Sequence, residues 1–259
     1  MRHPSLFCMR ALLRKRRRIW PSPSALVAAG PQVRFEPIVT LLPNAQTRYG
    51  VAMKKYGRTF HLPISLGTTS DDKVMSSLEG LMVDDLVITE KMDGENTTIH
   101  GSGTHARSPD SRYHPSRDWI KAFAAGISPQ LKDGERIVGE NLFAKHSVAY
   151  DALPSYFMGF SWIIGDHIQP WDDTLRRFEE LGITSVTELY RGPYVDRLFE
   201  DVAERLDFSK QEGFVVRDVL GFNEREMPSR MGKYVRANHV QSETHWMKSE
   251  LVPNRLAKN

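Results

Sequence analysis

The sequence predicts an α+β fold in which mainly antiparallel strands form sheets and helices pack outside them. Segments rich in Val, Ile, Thr and aromatic residues recur along the chain, and the clearest is the strand pair within residues 86–99. Amphipathic helical patterns separate several of these segments. A length of 259 residues with 40% hydrophobic content suits one large domain or two small ones with a substantial core.

Composition excludes several classes of protein. The one cysteine, Cys8, rules out an intramolecular disulfide and a cysteine-based zinc site, and it fits a reducing compartment. No apolar run approaches the roughly 18 residues that span a bilayer. We therefore expect a cytoplasmic protein that does not bind membranes.

The first 52 residues differ in charge from the rest. They hold nine Lys or Arg and one acid, Glu36, whereas 26 basic and 31 acidic residues follow. This segment could be an RNA-binding arm, a targeting leader or a disordered extension. We favour the extension, because the sequence from Met53 to Arg58 resembles a natural protein start. The expected organisation is a basic extension over residues 1–52 and one folded domain over residues 53–259.

Each element after Met53 is predicted from a local pattern. Ser70 is a candidate N-cap for a helix over residues 70–81, and Gly182 is a candidate C-cap for the helix predicted over residues 171–181. Residues 100–118 are predicted to form a polar loop outside the core, with three arginines suited to phosphate contacts. The other predicted elements are strands over 58–63, 86–99, 136–142, 156–164, 211–217 and 231–236, helices over 119–125, 171–181 and 195–206, and a polar tail.

The most aromatic run, residues 156–164, is predicted to be a central strand. Side chains alternate between the two faces of a strand. The alternation predicts one face with Phe157, Gly159 and Ser161, and another face with Met158, Phe160 and Trp162.

The stretch from Thr89 to Asn96 holds the candidate nucleophile, Lys91, between two β-prone segments. A lysine attacks only as the neutral amine, and its ordinary pKa of about 10.4 leaves it almost wholly charged at pH 7. We therefore expect burial or neighbouring cations to lower its pKa. The alternative is an ordinary hairpin, in which Asp93-Gly94 forms the turn and Lys91 is solvated.

Three further signals follow Lys91-Met92-Asp93-Gly94, each in or beside a predicted strand. They are Glu140, Glu212-Gly213 and Lys233-Tyr234-Val235-Arg236. A nucleotide-transfer site needs this set of groups: a lysine that attacks an α-phosphate, carboxylates for a divalent cation, and cations that stabilise the transition state. The ordered set therefore favours chemistry over the hairpin interpretation.

With these motifs, residues 58–246 resemble the covalent nucleotidyltransferases, and among them the ATP-dependent RNA ligases of bacteria and phages. The resemblance implies a nucleotidyltransferase fold, similar to ATP-grasp ligases, with antiparallel sheets flanking a nucleotide cleft. Lys91, in the family's Lys-x-Asp-Gly motif, would carry AMP. Asp93 and Gly94 would complete the nucleotide site around it.

The resemblance also assigns roles to residues outside that motif. Glu90 would read the adenine amino group, and Asn96 would contact the nucleic-acid end. The arginine of His105-Ala106-Arg107-Ser108 would bind ribose and phosphate. Glu140 would bind the ribose hydroxyls and help to hold the metal ion.

Three later motifs complete the comparison. Phe160 would stack on adenine, and Glu212 would bind the metal ion. Lys233 would contact the α-phosphate as part of the catalytic machinery. The chain departs from the family's usual Lys-x-Lys at this point, since Arg236 stands one position later than the second lysine; Arg236 is thus a weaker candidate for the same site.

The family implies ATP, with Mg²⁺ or alternatively Mn²⁺, and a three-step reaction. Lys91 takes AMP from ATP, AMP passes to an RNA 5′-phosphate, and a 3′-hydroxyl displaces AMP. The partners would be nicked or single-stranded RNA ends, with an end-healing kinase or phosphatase as a further partner in RNA repair.

Other functions share part of this pattern. A capping-type guanylyltransferase or a DNA ligase uses the same lysine chemistry, but both usually carry an OB-type domain after the last motif. We expect no separate OB domain here, because 23 residues follow Arg236. A non-catalytic RNA-binding module with the same fold is disfavoured by the intact set of Lys91, Glu140, Glu212 and Lys233.

Overall fold

The computed structural model describes residues 53–237 and 250–258, which all belong to one compact unit. The predictions for residues 1–52 lie outside the described residues. The strands are β1 (Phe60–His61), β2 (Leu86–Lys91), β3 (Glu95–His100), β4 (Gly103–Ala106), β5 (Glu135–Asn141), β6 (Phe157–Ile164), β7 (His167–Ile168), β8 (Thr184–Ser185), β9 (Glu188–Gly192), β10 (Gly213–Asp218), β11 (Phe222–Asn223) and β12 (Met231–Val235). The helices are α1 (Asp118–Ile127), α2 (Trp171–Leu181), α3 (Leu198–Arg205) and α4 (Met227–Arg230), and four single 3₁₀ turns are Glu79–Leu81, Pro115–Arg117, Ser128–Gln130 and Glu224–Glu226.

The strands form two mainly antiparallel sheets. Sheet A has the order β1-β12-β10-β2-β9, and within it only β1 and β12 run parallel. Sheet B has the order β11-β7-β6-β5-β3-β4, with β8 pairing in parallel with β6. The chain crosses from sheet A to sheet B through residues 92–94, between β2 and β3. The Lys91-Met92-Asp93-Gly94 motif therefore lies where the two sheets are joined.

Each sheet has one face covered by helices. On sheet A, Leu86, Ile88 and Phe214 pack against α3. On sheet B, Ile99 and Ile137 pack against α1 and α2. The alternation of side chains sends the intervening residues of β2, β3, β5, β10 and β12 to the inner faces of the two sheets. The prediction of antiparallel sheets with helices outside is confirmed.

Several predicted elements agree closely with the structure. The three predicted helices correspond to α1, α2 and α3, and the strands predicted over 136–142, 156–164, 211–217 and 231–236 correspond to β5, β6, β10 and β12. Gly182 ends α2 with φ 66°, a left-handed conformation that glycine adopts without strain. None of the described helices is long and apolar enough to cross a membrane.

The helix predicted over residues 70–81 is wrong. Only the 3₁₀ turn Glu79–Leu81 forms there. The backbone of residues 73–75 runs beside β1, where His61 N–H donates to Lys73 O over 2.7 Å and Met75 N–H donates to His61 O over 2.8 Å. Backbone groups used in this way are not available for helical hydrogen bonds.

The loop predicted over residues 100–118 is also partly wrong. Its first part forms β4, which pairs with β3 and buries His105 and Ala106. Gly103 has φ 133° in the turn between the two strands, a conformation that other residues rarely adopt. The turn therefore folds a polar stretch back into sheet B.

The polar tail is a third difference, because residues 250–258 dock on the domain. Asn254 is 4% exposed and donates through Nδ2 to Leu142 O over 2.8 Å and to Ala144 O over 3.3 Å. Its Oδ1 accepts from Tyr150 N–H over 3.0 Å. The segment thus fixes both ends of the loop over residues 142–150.

Candidate active site

A cleft of about 690 Å³ lies between the inner faces of the two sheets. It brings together ten of the eleven residues that the sequence analysis selected. These ten are Glu90, Lys91, Asp93, Gly94, Asn96, Arg107, Glu140, Phe160, Glu212 and Lys233. The eleventh, Arg236, is not among the described residues that line the cleft.

Lys91 stands at the end of β2, on the inner face of sheet A. Its Nζ donates to Glu212 Oε2 over 2.5 Å, and the two side chains are 24% and 1% exposed. Gly213 lies opposite Lys91 in the sheet, and a Cβ there would come within 2.0 Å of Tyr234 O. Glycine at this position therefore lets β10 and β12 approach closely beside the ion pair.

The pKa of Lys91 is raised, which contradicts the expectation of a lowered one. Burial lowers the pKa of the amine, but the carboxylates of Glu212, Glu140 and Asp93 together outweigh burial. The sequence pattern led us to expect cations beside Lys91, whereas the fold places three carboxylates near its amine. In the free protein Lys91 is therefore an ammonium ion.

Glu140 lies on the inner face of sheet B, opposite Asn96 in the neighbouring strand. Burial and the negative charge of Glu212 together raise its pKa to about 8, against the opposing effect of Lys91. Gly94 N–H donates to Glu140 Oε1 over 3.2 Å. A Cβ on Gly94 would lie 2.5 Å from Asn141 O, so glycine is required for this contact.

Glu140 and Glu212 are the residues that fit a divalent cation. No group of three or more His, Cys, Asp or Glu within residues 53–237 and 250–258 forms a metal cage. Mg²⁺ does not need one, because it binds through one or two carboxylates and keeps water and substrate phosphates as its other ligands. Burial raises the pKa of Glu140 and the nearby charge of Glu212 adds to this, so a cation at this point would stabilise the ionised carboxylates. The donor set thus suits a cation that arrives with a phosphate.

Asp93 is turned toward the loop over residues 142–150. Its Oδ2 accepts from Ser147 Oγ over 2.7 Å and from Val148 N–H over 2.6 Å, and its N–H donates to Tyr150 Oη over 2.9 Å. The same loop is held on its other side by Asn254. In this structure the carboxylate of Asp93 therefore supports the cleft wall.

Phe160 is the extra residue of a β-bulge. Gly159 pairs with Gly139 and Ser161 pairs with Val138, which leaves Phe160 without a partner in β5. A bulge shifts the alternation of the residues that follow. Trp162 consequently packs with the outer cluster of sheet B, whereas Phe160 faces the cleft. The prediction that Phe160 and Trp162 share a face is wrong for this reason.

Asn96 and Arg107 lie at the β3–β4 side of the cleft. Arg107 N–H donates to Asn96 O over 2.9 Å, which aligns the two residues. Asn96 Oδ1 is buried and accepts no hydrogen bond from any described residue. A buried acceptor without a partner is unfavourable, so a donor on a ligand would satisfy it.

Lys233 is on the inner face of sheet A, in β12. Burial and the positive charge of Lys91 lower its pKa to about 8. Burial and the charge of Lys233 in turn lower the pKa of His61 to about 4, so this histidine is neutral. Lys233 is thus a partly desolvated cation, which suits phosphate binding.

Two selected residues differ from the expected placement. Arg236 does not line the cleft formed by the described residues, and its backbone N–H donates to Glu212 O over 3.1 Å. Glu90 lines the cleft but alternates with Lys91 along β2. Burial raises the pKa of Glu90, and a hydrogen bond with Gln211 partly opposes this increase. Its contact with an adenine amino group stays a prediction.

The structure adds cleft residues that the sequence analysis did not select for the site. Tyr56 is buried with its ring centroid 5.7 Å from that of Phe160. Arg217 follows the Glu212-Gly213 motif on the inner face of β10. Lys145, His146 and Ser147 extend the wall beyond Asp93. The polar run that begins three positions after the strand predicted over 136–142 was a usable signal for this last group, whereas only the fold identifies the other two.

Comparison with known proteins gives one family. A family model described as RNA ligase matches residues 84–235, which include Lys91, Glu140, Glu212 and Lys233. No curated protein matches the chain.

Solved structures give distant similarities. An archaeal ATP-dependent RNA ligase shares 16% identity at a TM-score of 0.49, covering 71% of this chain and 48% of its own. A Naegleria gruberi RNA ligase with pyrophosphate shares 14% sequence identity at a TM-score of 0.48. The match covers 74% of this chain and 61% of the Naegleria chain. An Aquifex aeolicus protein, provisionally assigned as an ATP-dependent DNA ligase, shares 16% sequence identity at a TM-score of 0.47. The match covers 70% of this chain and 50% of the Aquifex chain. The chain spans about half the length of the archaeal and Aquifex proteins.

Proposed function

Because the chain belongs to the RNA ligase family, we propose that it seals RNA ends with ATP through an AMP group carried on Lys91. The observation that supports this most directly is the placement of the Lys91 amine against Glu212, in a cleft that Glu140, Phe160 and Lys233 also line. A lysine nucleophile, two carboxylates, an aromatic ring and a second cation are the groups that nucleotide transfer uses.

The proposed reaction starts at Lys91. The neutral amine attacks the α-phosphate of ATP, the N–P bond forms, and the bond to pyrophosphate breaks. AMP then passes from Lys91 to an RNA 5′-phosphate, and a 3′-hydroxyl displaces AMP to form the phosphodiester. Lys233 binds phosphate oxygens by its charge, Phe160 stacks on the base, and Asn96 accepts a hydrogen bond from a ligand donor.

Glu212 and Glu140 would hold Mg²⁺, or Mn²⁺ in its place. Bound there, the cation would offset the negative charge of the phosphates. The carboxylate oxygen atoms of these two side chains, which are the ligands that Mg²⁺ prefers, support this assignment. Glu140 must release its proton to take part, because its pKa is raised to about 8.

The RNA ends must carry a 5′-phosphate and a 3′-hydroxyl. Such ends are made by a kinase and a phosphatase, which we include as partners in a repair reaction. We assign this reaction to the cytoplasm because one cysteine in 259 residues suits a reducing compartment.

The direct test uses α-labelled ATP and GTP with the full chain. We expect labelled enzyme with ATP and none with GTP, which separates a ligase from a capping-type enzyme. Sealing is then compared on nicked RNA, nicked DNA and single-stranded RNA. Labelling by GTP, or sealing of DNA nicks alone, would contradict the proposal.

Phe160→Leu should weaken ATP binding and leave the chemical step nearly unchanged. An aromatic stack contributes about 0.5–1.5 kcal/mol, so KM for ATP should rise roughly 3- to 10-fold. The measurement is the ATP dependence of Lys-AMP formation. Phe123→Leu is the matched control, because that ring packs on the outer face of sheet B. An unchanged KM in Phe160→Leu would exclude stacking.

The rate of Lys-AMP formation should depend on pH in two stages. The raised pKa of Lys91 keeps it charged at pH 7, so each pH unit increases the neutral amine about tenfold. Above about pH 8, Lys233 loses the charge that binds phosphate, and ionised Glu140 opposes deprotonation of Lys91. We expect kcat/KM for ATP to rise from pH 7 and level off near pH 8. A tenfold rise per unit that continued to pH 9.5 would contradict these assignments.

A further inference from the structure

Arg217 is a buried cation without a counter-charge in the described structure. Its side chain starts on the inner face of β10 in sheet A, and the residue is 3% exposed. No carboxylate of residues 53–237 or 250–258 forms an ion pair with it. Burial lowers its pKa, and its guanidinium carbon lies 4.9 Å from the centroid of the Trp171 ring.

Stability alone does not account for such a residue. A charge taken out of water without an opposite charge opposes folding, and an apolar side chain of similar volume is often as stable or more stable. Arginine at this position therefore needs another reason. Its one hydrogen bond to a described residue supplies that reason.

Arg217 Nη1 donates to the carbonyl oxygen of Phe160, across the space between the two sheets. Phe160 is the extra residue of the bulge in β6 and has no partner in β5. The guanidinium thus binds the backbone at the point where the regular strand pairing is interrupted. On the other side, the Tyr56 ring contacts the Phe160 ring with centroids 5.7 Å apart.

We propose that Arg217 is a positioning residue that fixes the β-bulge and so orients the Phe160 ring for an adenine base. This inference rests on the proposed function, in which Phe160 stacks on adenine. Arg217 acts through Phe160, so its removal should affect recognition of the base and leave recognition of sugar and phosphate unchanged. The effect should not exceed that of removing the ring itself.

The test compares two ligands that differ only in the base, AMP and ribose 5-phosphate. Binding is measured by calorimetry on full-length protein that has been freed of bound nucleotide by pyrophosphate treatment and dialysis. Arg217→Met should weaken AMP binding roughly 3- to 10-fold, leave ribose 5-phosphate binding unchanged, and keep or raise the melting temperature. Arg225→Met is the matched control, since Arg225 is exposed outside the cleft.

A double variant provides the second measurement. Arg217→Met combined with Phe160→Leu should bind AMP no more weakly than Phe160→Leu alone, because the two residues act as one unit. Arg217→Lys, which keeps the charge but not the planar donor group, should weaken AMP binding in the same way and serves if the Met variant does not fold.

Three results with the variants would overturn the proposal: unchanged AMP binding in Arg217→Met, an equal loss for ribose 5-phosphate, or additive losses in the double variant. An equal loss would mean that Arg217 contacts phosphate or sugar directly. A wild-type protein that binds AMP but forms no Lys-AMP would refute only the proposed function, because base recognition is still measured. A wild-type protein that does not bind AMP would overturn this inference.

Discussion

Lys91→Arg is expected to abolish AMP transfer to the protein. The guanidinium keeps the positive charge beside Glu212 but does not lose its proton in proteins, so it cannot attack phosphorus. We expect no labelled enzyme with α-labelled ATP at any pH from 7 to 9.5. In the wild-type protein, mass spectrometry should locate AMP on the peptide that contains residue 91.

The control for this variant is a pre-adenylylated RNA, which bypasses the first two steps. Lys91→Arg should still seal such RNA, which would show that the fold and the RNA site are intact. Labelled Lys91→Arg protein would refute the nucleophile assignment. Lys91→Ala is less informative, because it leaves the buried Glu212 carboxylate without its cation.

Glu212→Gln gives a prediction whose sign separates two roles of this carboxylate. The charge of Glu212 raises the pKa of Lys91, so its removal would release more neutral amine and speed the reaction if pairing were its only role. If Glu212 also binds the metal ion, the loss of the carboxylate should slow the reaction. We expect the second result, with Lys-AMP formation reduced about 10²- to 10³-fold, the range for loss of a transition-state stabilising group.

The measurement is the rate of Lys-AMP formation at several Mg²⁺ concentrations, at pH 7 and pH 9. Glu212→Gln should require more Mg²⁺ than the wild-type protein. Glu188→Gln is a suitable control, because that glutamate lies in β9, accepts a hydrogen bond from Trp171 Nε1 and does not line the cleft. A faster Glu212→Gln variant would show that the carboxylate only restrains the nucleophile.

Local patterns predicted the elements that carry the selected cleft residues. The strands around Lys91, Glu140 and Glu212 were predictable because alternation and β-branched residues are local signals. The presence of Lys91, Glu140, Glu212 and Lys233 in one cleft agrees with the motif order. Their roles in binding and catalysis stay predictions.

The errors arise where distant parts of the chain decide the local structure. Residues 73–75 form hydrogen bonds with His61 instead of a helix, and Asn254 docks on a loop more than 100 positions earlier. The bulge at Phe160 depends on the register between β5 and β6, which no single-strand pattern contains. The pKa of Lys91 likewise depends on Glu212, which is 121 positions away in the chain.

The parallel pairing of β1 with β12 has a consequence for biosynthesis. It joins residues 60–61 to residues 232–233, which are 172 positions apart, and β2 pairs with β10 across 122 to 132 positions. Contacts so distant in the chain make folding slow, since long loops must close before the contacts stabilise anything. During translation, sheet A therefore stays incomplete until residue 235 has left the ribosome. Lys91 is made early, but Glu212 and Lys233, which line the same cleft, are made more than 100 positions later.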